Sequence, residues 1–554
     1  MSSQRGQVSE QGQMIVLAYM GIFVLTVLGA SVLNSSFSVS RHSQIDQLQS
    51  DVFYVAEGGV EDASAKFAQA IANFQVDSNT PRYPAVGSLV TTFASGATAN
   101  SVVTEAEAAP RTIVDPDGVS VFTKNYEIVT TAQHPTNPAV TATIHQVVSR
   151  RIIYTFQHAV FYDNDLEWLP GANMTLMGRV HSNNDIYLAT EANKTLTVDS
   201  EYLRAVGSLL HRRKDNASVP SGIVEIKKAG SSPELFPVLT FDSTSGSWAA
   251  DSQTTWAGTV QTGVHGVTKR AVPVVGSTNP GGFYDTNADV QIVDGVIKKG
   301  GVVLVQGTDI PAGTITTSTT LYNNREGKTV KTTDVDLRKL GGYVDVNGDG
   351  VFEAPGTGGN PFTNKLPANG LLYATRTDAT SGQQPGIRLR NGATIYRTGG
   401  LTVVSNDPVY IQGDYNTVAK KPAAVIGDAM NLLSSNWNDS NSAGALSGRT
   451  ANSTTFNAAF IAGIKTTTSG SYNGGLENYP RLHENWSSKQ LTITGSFVSL
   501  WNSQIAIGNW TYGAPYYTAP VRIWSYDTAF SSGTQLPPFT PFAVEMKRGA
   551  WWKE

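Results

Sequence analysis

The stretch MIVLAYMGIFVLTVLGASVL, Met14 to Leu33, decides how the rest of the chain is read. It lies inside a longer region, Gln11 to Ser40, that carries no charge. About 20 apolar or small residues are what one helix needs to cross the hydrocarbon of a bilayer. A cleaved secretory signal has a basic start, a shorter apolar core and a small-residue cut site. Here the flank SSQRGQVSEQGQ, Ser2 to Gln13, is nearly neutral and the apolar run is long. The competing reading is a buried core helix, but unbroken apolarity is rare in those. Arg5 and Arg41 lie on opposite sides of the run, so positive charge does not choose an orientation.

Beyond the run, apolar or small residues recur at Ile45, Leu48, Val52, Val55, Gly59, Ala63, Phe67, Ala70 and Phe74. Steps of three and four mark one helical face. Asp46, Asp51, Glu57, Glu61 and Lys66 fall largely elsewhere. The pattern predicts one helix over residues 13–74, roughly 90 Å at 1.5 Å per residue. Its packing face is expected at Glu57 with the small residues Gly58, Gly59 and Ala63, and the glycine pair is a soft point.

The start EQGQMIVL and the segment FYVAEGGVEDA (Phe53–Ala63) resemble type IV pilins, and most closely the PilX-type minor pilin family. The resemblance covers about the first 75 residues. It implies a short leader over residues 1–12, a pilin-like helix over 13–75 whose transmembrane segment is 14–33, and other pilin subunits or assembly machinery as partners. Location would be a bacterial inner membrane with an exported domain, or a pilus. Major pilins carry a glutamate at the fifth position of the mature helix. Cleavage after Gly12 would put Leu17 there, and cleavage after Gly6 would make Glu10 the fourth residue.

After residue 75 strand-like stretches dominate, such as Tyr126–Thr131, Ala139–Val148 and Ile152–Tyr162, separated by Pro, Asn, Asp and Gly clusters. The segment AAVIGDAMNLLS, Ala423 to Ser434, reads as either helix or strand. Two internal echoes stand out. VHSNNDIYL (Val180–Leu188) matches VVSNDPVYI (Val403–Ile411), and AAVIG (Ala423–Gly427) matches AAFIAG (Ala458–Gly463). Short strands recurring with Asn/Gly corners predict an α+β, mainly β chain whose body is a β-solenoid; the alternative is a β-sandwich with insertions. The expected divisions are a β-rich domain over 76–204, an inserted lobe over 205–370 and a Trp-rich domain over 371–554. GGLENYPRLHENW and TGSFVSLWNS in the last division also resemble the end of large PilX-like proteins.

Composition narrows the function. Among 554 residues, 40 Lys+Arg face 44 Asp+Glu, a formal charge of −4 that argues against binding nucleic acid by phosphate neutralisation. Charged residues are only 15% of the chain, fewer than the roughly 25% usual in soluble domains. There is no cysteine, which excludes disulfides, thiolate metal sites and thiol nucleophiles. No P-loop, GxSxG or HExxH motif occurs.

The sharpest local motif is DVNGDGVFE. Asp345, Asn347, Asp349, the Val351 carbonyl and Glu353 follow the first nine positions of an EF-hand-like loop, which predicts Ca2+. An Asx-rich turn uses the same residues. Asp163, Asp165 and Glu167 would share one strand face, the arrangement an anchored polysaccharide-cleaving enzyme would need. His181 beside Asp185, the pair His483-Glu484 and the basic run His211–Lys214 are weaker candidates. C-terminal Trp and Tyr offer faces for surface glycans. The leading expectation is a structural, non-enzymatic minor pilin or pseudopilin of a type IV pilus or type II secretion-like system, presenting its exported domain for assembly or adhesion. A passive envelope adhesin is the third reading.

Overall fold

In the computed structural model, residues 7–72 and 87–554 are described. Gln7–Ala72 forms one continuous helix, α1, about 100 Å long at 1.5 Å per residue. Positions 73 and 74 of the expected helix lie outside the described residues. The two halves of α1 have different surroundings. Every residue from Gly12 to Gln47 is exposed, whereas Val52, Ala56, Gly59, Val60, Ala63 and Phe67 are buried. Those three- and four-residue steps keep one stripe pointed at a sheet.

The sheet is antiparallel. It contains β1 (Gly87–Thr92), β2 (Thr98–Glu105), β3 (Arg111–Val114), β4 (Ser120–His134), β5 (Asn137–Tyr154) and the last strand, β6 (Phe542–Lys553). The order is β1-β2-β4-β5-β6, with β3 also on β4. Residues on β4 and β5 alternate between buried and partly open, so Tyr126, Ile128, Ala142, Ile144 and Val148 face inward. Side-chain size is graded along the seam. At one end Phe67 meets Tyr126 edge to face at 4.8 Å. At the other, Ala99, Ala132 and Ala142 leave room for the helix backbone itself. Gly59 sits there because a Cβ would lie 2.4 Å from Ala99 Cβ and 2.8 Å from Thr130 Cγ2. Glu57 is exposed and takes no part in this face, contrary to the sequence reading. Glu61 supplies the carboxylate contact instead, accepting from Arg548 at 2.5 and 2.6 Å at the sheet's margin.

Residues 155–541 leave the sheet after β5 and return to it at β6. Their strands are short and pair mostly in parallel. Val160–Tyr162, Val180–Ser182, Leu203–Ala205 and Val260–Gln261 are successive neighbours. So are Leu371–Thr375, Leu401–Val404, Ala423–Gly427, Ala459–Ala462 and Gln490–Ser499. The two runs join where Phe497 lies opposite Val160. A second parallel ladder contains Lys328–Asp336, Gln383–Arg390, Val409–Gln412, Met430–Leu433 and Arg481–Leu482. Near-continuous Val, Ile, Leu and Ala suit strands buried on both faces.

The sequence echoes are neighbours or equivalents here. Val180–Ser182 with Ile186–Leu188, and Leu401–Val404 with Val409–Gln412, are both strand, Asn/Asp corner, strand. Ala424 lies directly opposite Ala459. Ala423–Ser434 is two strands, Ala423–Gly427 and Met430–Leu433, and not a helix. Its corner is fixed by Asp428, whose carboxylate accepts the Ala506 amide at 2.7 Å. α2 (Trp248–Trp256) buries both its terminal tryptophans beside the first run.

Replacing Gly59 with Leu should lower stability by about 1–3 kcal/mol through overpacking. Gly21, with nothing within 4 Å of its would-be Cβ, should accept Leu without loss. Thermal unfolding of the two variants in detergent checks both.

Candidate functional site

Among the described residues, the first half of α1 packs against no other element. Met14, Leu17, Phe23, Leu25, Val32 and Phe37 are all more than half exposed, and such side chains continue all round the helix. Exposed apolar surface on that scale marks a surface meant for lipid or for another protein. α1 is also long and apolar enough to cross a membrane.

Where the body meets the sheet, a polar cluster bridges them. Arg270 is buried, with Nη1 donating to His158 Nε2 at 3.0 Å and Nη2 to the Tyr202 hydroxyl at 3.0 Å. Its Nε lies 3.7 Å from Glu545 of β6. Glu545 also accepts from Arg151 Nε of β5 at 2.6 Å, and Arg151 pairs with Asp115. Arg204 reaches Asp117 at 2.8 Å. The Ala271 and Val544 backbones exchange two hydrogen bonds, at 2.9 and 2.8 Å. Burial and the Arg270 charge push the His158 and His181 imidazoles well below their ordinary range, so both are neutral there. These charges lie in a cleft of about 350 Å³. Residues 158, 270 and 545 are too far apart in sequence for any local motif to have indicated the cluster.

The three carboxylates of YDNDLEW do not converge. Asp163 accepts from Asn183 Nδ2 at 2.7 Å, and Asp165 accepts from the Asp185 amide at 3.1 Å and from Lys214 at 2.5 Å. They serve as corner residues, each holding the next strand's corner. Glu167 alone of the three is buried, and among the described residues its Oε2 has no hydrogen-bond partner. Burial raises its carboxyl to about 7. His181 donates to Asn183 Oδ1 at 3.1 Å and is not paired with Asp185, whose Oδ1 accepts the Ser208 amide at 2.7 Å. His483 and Glu484 are buried and point to different partners. His483 Nε2 meets Asn431 Oδ1 at 2.9 Å, and Glu484 accepts the Ser434 hydroxyl and amide at 2.6 and 2.7 Å. In the run His211–Lys214, Lys214 takes Asp165, Arg213 takes Asp215 at 2.8 Å and the His211 amide donates to Asp242 at 3.0 Å. Most of the late tryptophans are core; Trp510, Trp551 and Trp552 reach the surface.

The Asp345–Glu353 loop is exposed and closed by paired backbones of Val344 and Glu353. Asp345 accepts the Gly348 and Gly350 amides at 2.7 and 2.9 Å. Asn347 Oδ1 accepts the Asp349 amide at 3.1 Å, Asp349 Oδ1 accepts the Val351 amide at 2.7 Å, and Glu353 Oε2 accepts the Val346 amide at 2.9 Å. Among the described residues, no three His, Asp or Glu side chains gather into a metal-holding group. Each engaged carboxylate oxygen keeps a second lone pair.

No protein-family model matches the chain, and no curated protein matches it in sequence. Among solved structures it is similar to the competence-associated pilin ComZ from Thermus thermophilus, at 10% identity and a TM-score of 0.27, over 91% of this chain and 97% of that one. That score is too low to define a shared fold.

Glu167 generates a pH prediction. Its folded value, about 7, lies above the ordinary 4.5, so the folded chain holds a proton that the unfolded chain releases. The stability it contributes is fully present below pH 4.5 and lost as pH rises through about 7. Glu167→Gln should therefore melt with the parent at pH 4 and be more stable at pH 8, by up to about 3 kcal/mol. Parallel melting curves at both pH values would contradict this.

Proposed function

We propose that this chain is a membrane-anchored, pilin-like structural protein that carries a large exported body. One observation carries the reading. α1 is a single helix whose first half is apolar on every side and exposed among the described residues, while its second half is locked onto an antiparallel sheet. Such a helix sits in a bilayer, and packs against like helices when subunits assemble. Residues 7–72, β1–β5 and β6 form the anchoring unit in this reading, and residues 155–541 are an insertion between its last two strands. The parallel ladders support a β-solenoid body, since a sandwich would pair its strands antiparallel. The finer role is a minor pilin of a type IV pilus or a type II secretion-like system, with the body offered for assembly or adhesion. Its location is an inner membrane with the body outside.

Val24→Asp should abolish membrane retention, because a charge at the centre of a spanning helix costs about 2.5–3.5 kcal/mol on insertion scales. Fractionation after alkaline carbonate extraction checks it; unchanged retention would sink the anchor.

Calcium at Asp345, Asn347, Asp349, Val351 and Glu353 is a separate proposal. It is supported by oxygen donors at alternate positions and by amides that already orient three of the side chains. Its role would be to stiffen the loop. Titration calorimetry should then give binding at about 0.1–1 mM, the range of extracellular calcium modules. Asp349→Asn should remove the signal, and no heat from the parent chain would refute it.

A further inference from the structure

Residues 465–478 form a strap between early and late parts of the body. From Lys465 to Gly475 its sequence, KTTTSGSYNGG, contains a single large ring, Tyr472, so polar contacts hold it down. On the early side, Glu477 Oε2 accepts the Leu169 amide at 3.2 Å and the Gly470 amide donates to the Asp215 carbonyl at 3.3 Å. The Arg213 guanidinium lies over the Tyr472 ring at 4.6 Å. On the late side, Tyr472 meets Trp510 edge to face at 5.4 Å. Gly470, Gly474 and Gly475 all have positive φ, which lets the backbone turn there without a Cβ penalty. A segment with few buried apolar contacts belongs to the part of a structure that opens at low cost.

The strap closes over Glu167. That side chain is buried on the strand Leu166–Trp168, beside a space of about 10 Å³, room for one water. Lys465 and Asn473 of the strap line this space, and the Thr467 hydroxyl is a hydrogen-bonding neighbour of the Glu167 carboxyl. A neutral carboxyl tolerates an idle Oε2, whereas a carboxylate asks for several donors, and one water does not supply them.

The cations nearby are turned elsewhere. Lys214 takes Asp165 at 2.5 Å, Lys465 takes Asn509, Arg325 takes the Gly508 carbonyl at 3.1 Å and Arg481 takes Glu326 at 2.6 Å. The anions are close. Asp165 on the same turn and Glu477 on the strap both disfavour charge on Glu167. Burial opposes charge on Glu477 too, but the Arg522 guanidinium, the Leu169 amide and the Tyr472 hydroxyl favour it there, so the proton rests on Glu167. Tyr162, Tyr187, Tyr472 and Tyr479 complete the surroundings, and burial keeps their hydroxyls protonated.

We propose that Glu167 latches this strap: residues 465–478 stay down while its carboxyl keeps a proton and lift when the proton leaves. Losing the proton sets a second negative charge against Glu477, the strap residue that holds Leu169, in a space too small to hydrate it. Lifting parts Tyr472 from Arg213 and Trp510 and lets water reach Glu167. The folded value of Glu167, about 7, lies above the ordinary 4.5. Closure is therefore strongest in acid and weakens as pH rises through about 7. The latch is independent of how α1 is anchored.

Hydrogen exchange on the full chain in detergent micelles tests it, read as protection factors, which remove the intrinsic pH dependence of exchange. The hydrogen-bonded strap amides of Thr468, Gly470, Ser471, Asn473 and Gly475 report the opening. Between about pH 5.5 and about pH 8.5 their protection should fall by up to about 30-fold, the factor that a closed value of about 7 and an open value of 4.5 allow. At both pH values it should be at least about a hundredfold below that of the buried strand Ala423–Gly427, because the strap opens without the rest of the body. Glu167→Gln should make strap protection independent of pH over this range. Unchanged protection of the parent strap between the two pH values, protection equal to that of Ala423–Gly427, or an undiminished fall in Glu167→Gln would each overturn the proposal.

Discussion

The pairing of β6 with β5 is the constraint on which the rest depends. Residues 542–553 must find residues 144–154 across the whole of 155–541. The sheet presents a completed surface to α1 only when they do, because Phe542 and Val544 belong to the same buried cluster as Ala63, Phe67 and Val148. Closing so long a loop costs little more entropy than closing one half its length. The gain is local and large, since β6 brings Phe542, Val544 and Glu545 to positions where nothing else in the chain stands. Two chain ends of the inserted body are thereby fixed side by side.

That arrangement makes the body's attachment stiff. A pair of adjacent strand ends could act as a hinge, but here Arg270, Arg151, Glu545, Asp115, Arg204 and Asp117 tie body to sheet on the side away from α1. Removing one member of such a partly buried network leaves another charge without its partner, which is costly. The neutral, buried imidazoles of His158 and His181 belong to the same logic. They satisfy Arg270 and Asn183 as acceptor and donor without adding charge. Force applied to the body would thus pass to the sheet, and through the Gly59 seam to α1.

Legibility from sequence followed the range of the physics. Apolar periodicity is local, so the helix and its change of character near Ile45 could be read directly from spacing. Echoes such as AAVIG and AAFIAG were legible because neighbouring parallel strands bury the same small and branched residues. Their period was not, because the separation of paired strands follows loop length: 20 residues separate Val160 from its partner Val180, but 35 separate Ala424 from Ala459. Glu57 was misread because a carboxylate among small residues suggests a packing role, whereas its position turns it outward and Glu61 meets Arg548. The carboxylates at 163, 165 and 167 showed the right alternation, but a corner separates Asp163 and Asp165 from the strand that buries Glu167. The Arg270 junction has no local signature, since Arg270 lies more than a hundred residues from His158 and more than two hundred from Glu545.

The account turns on α1 having one half in contact with lipid and the other in contact with the sheet. The chain contains no cysteine, so single cysteines can be placed along the helix without background. Labelling by a membrane-impermeant maleimide in intact membranes, residue by residue from 14 to 70, measures the claim directly. The account predicts unbroken protection over 14–33, reactivity from 34 to 47, and alternating protection at 52, 56, 59, 60, 63 and 67. Reactivity within 14–33, or protection that continues evenly from 34 to 47, would contradict it.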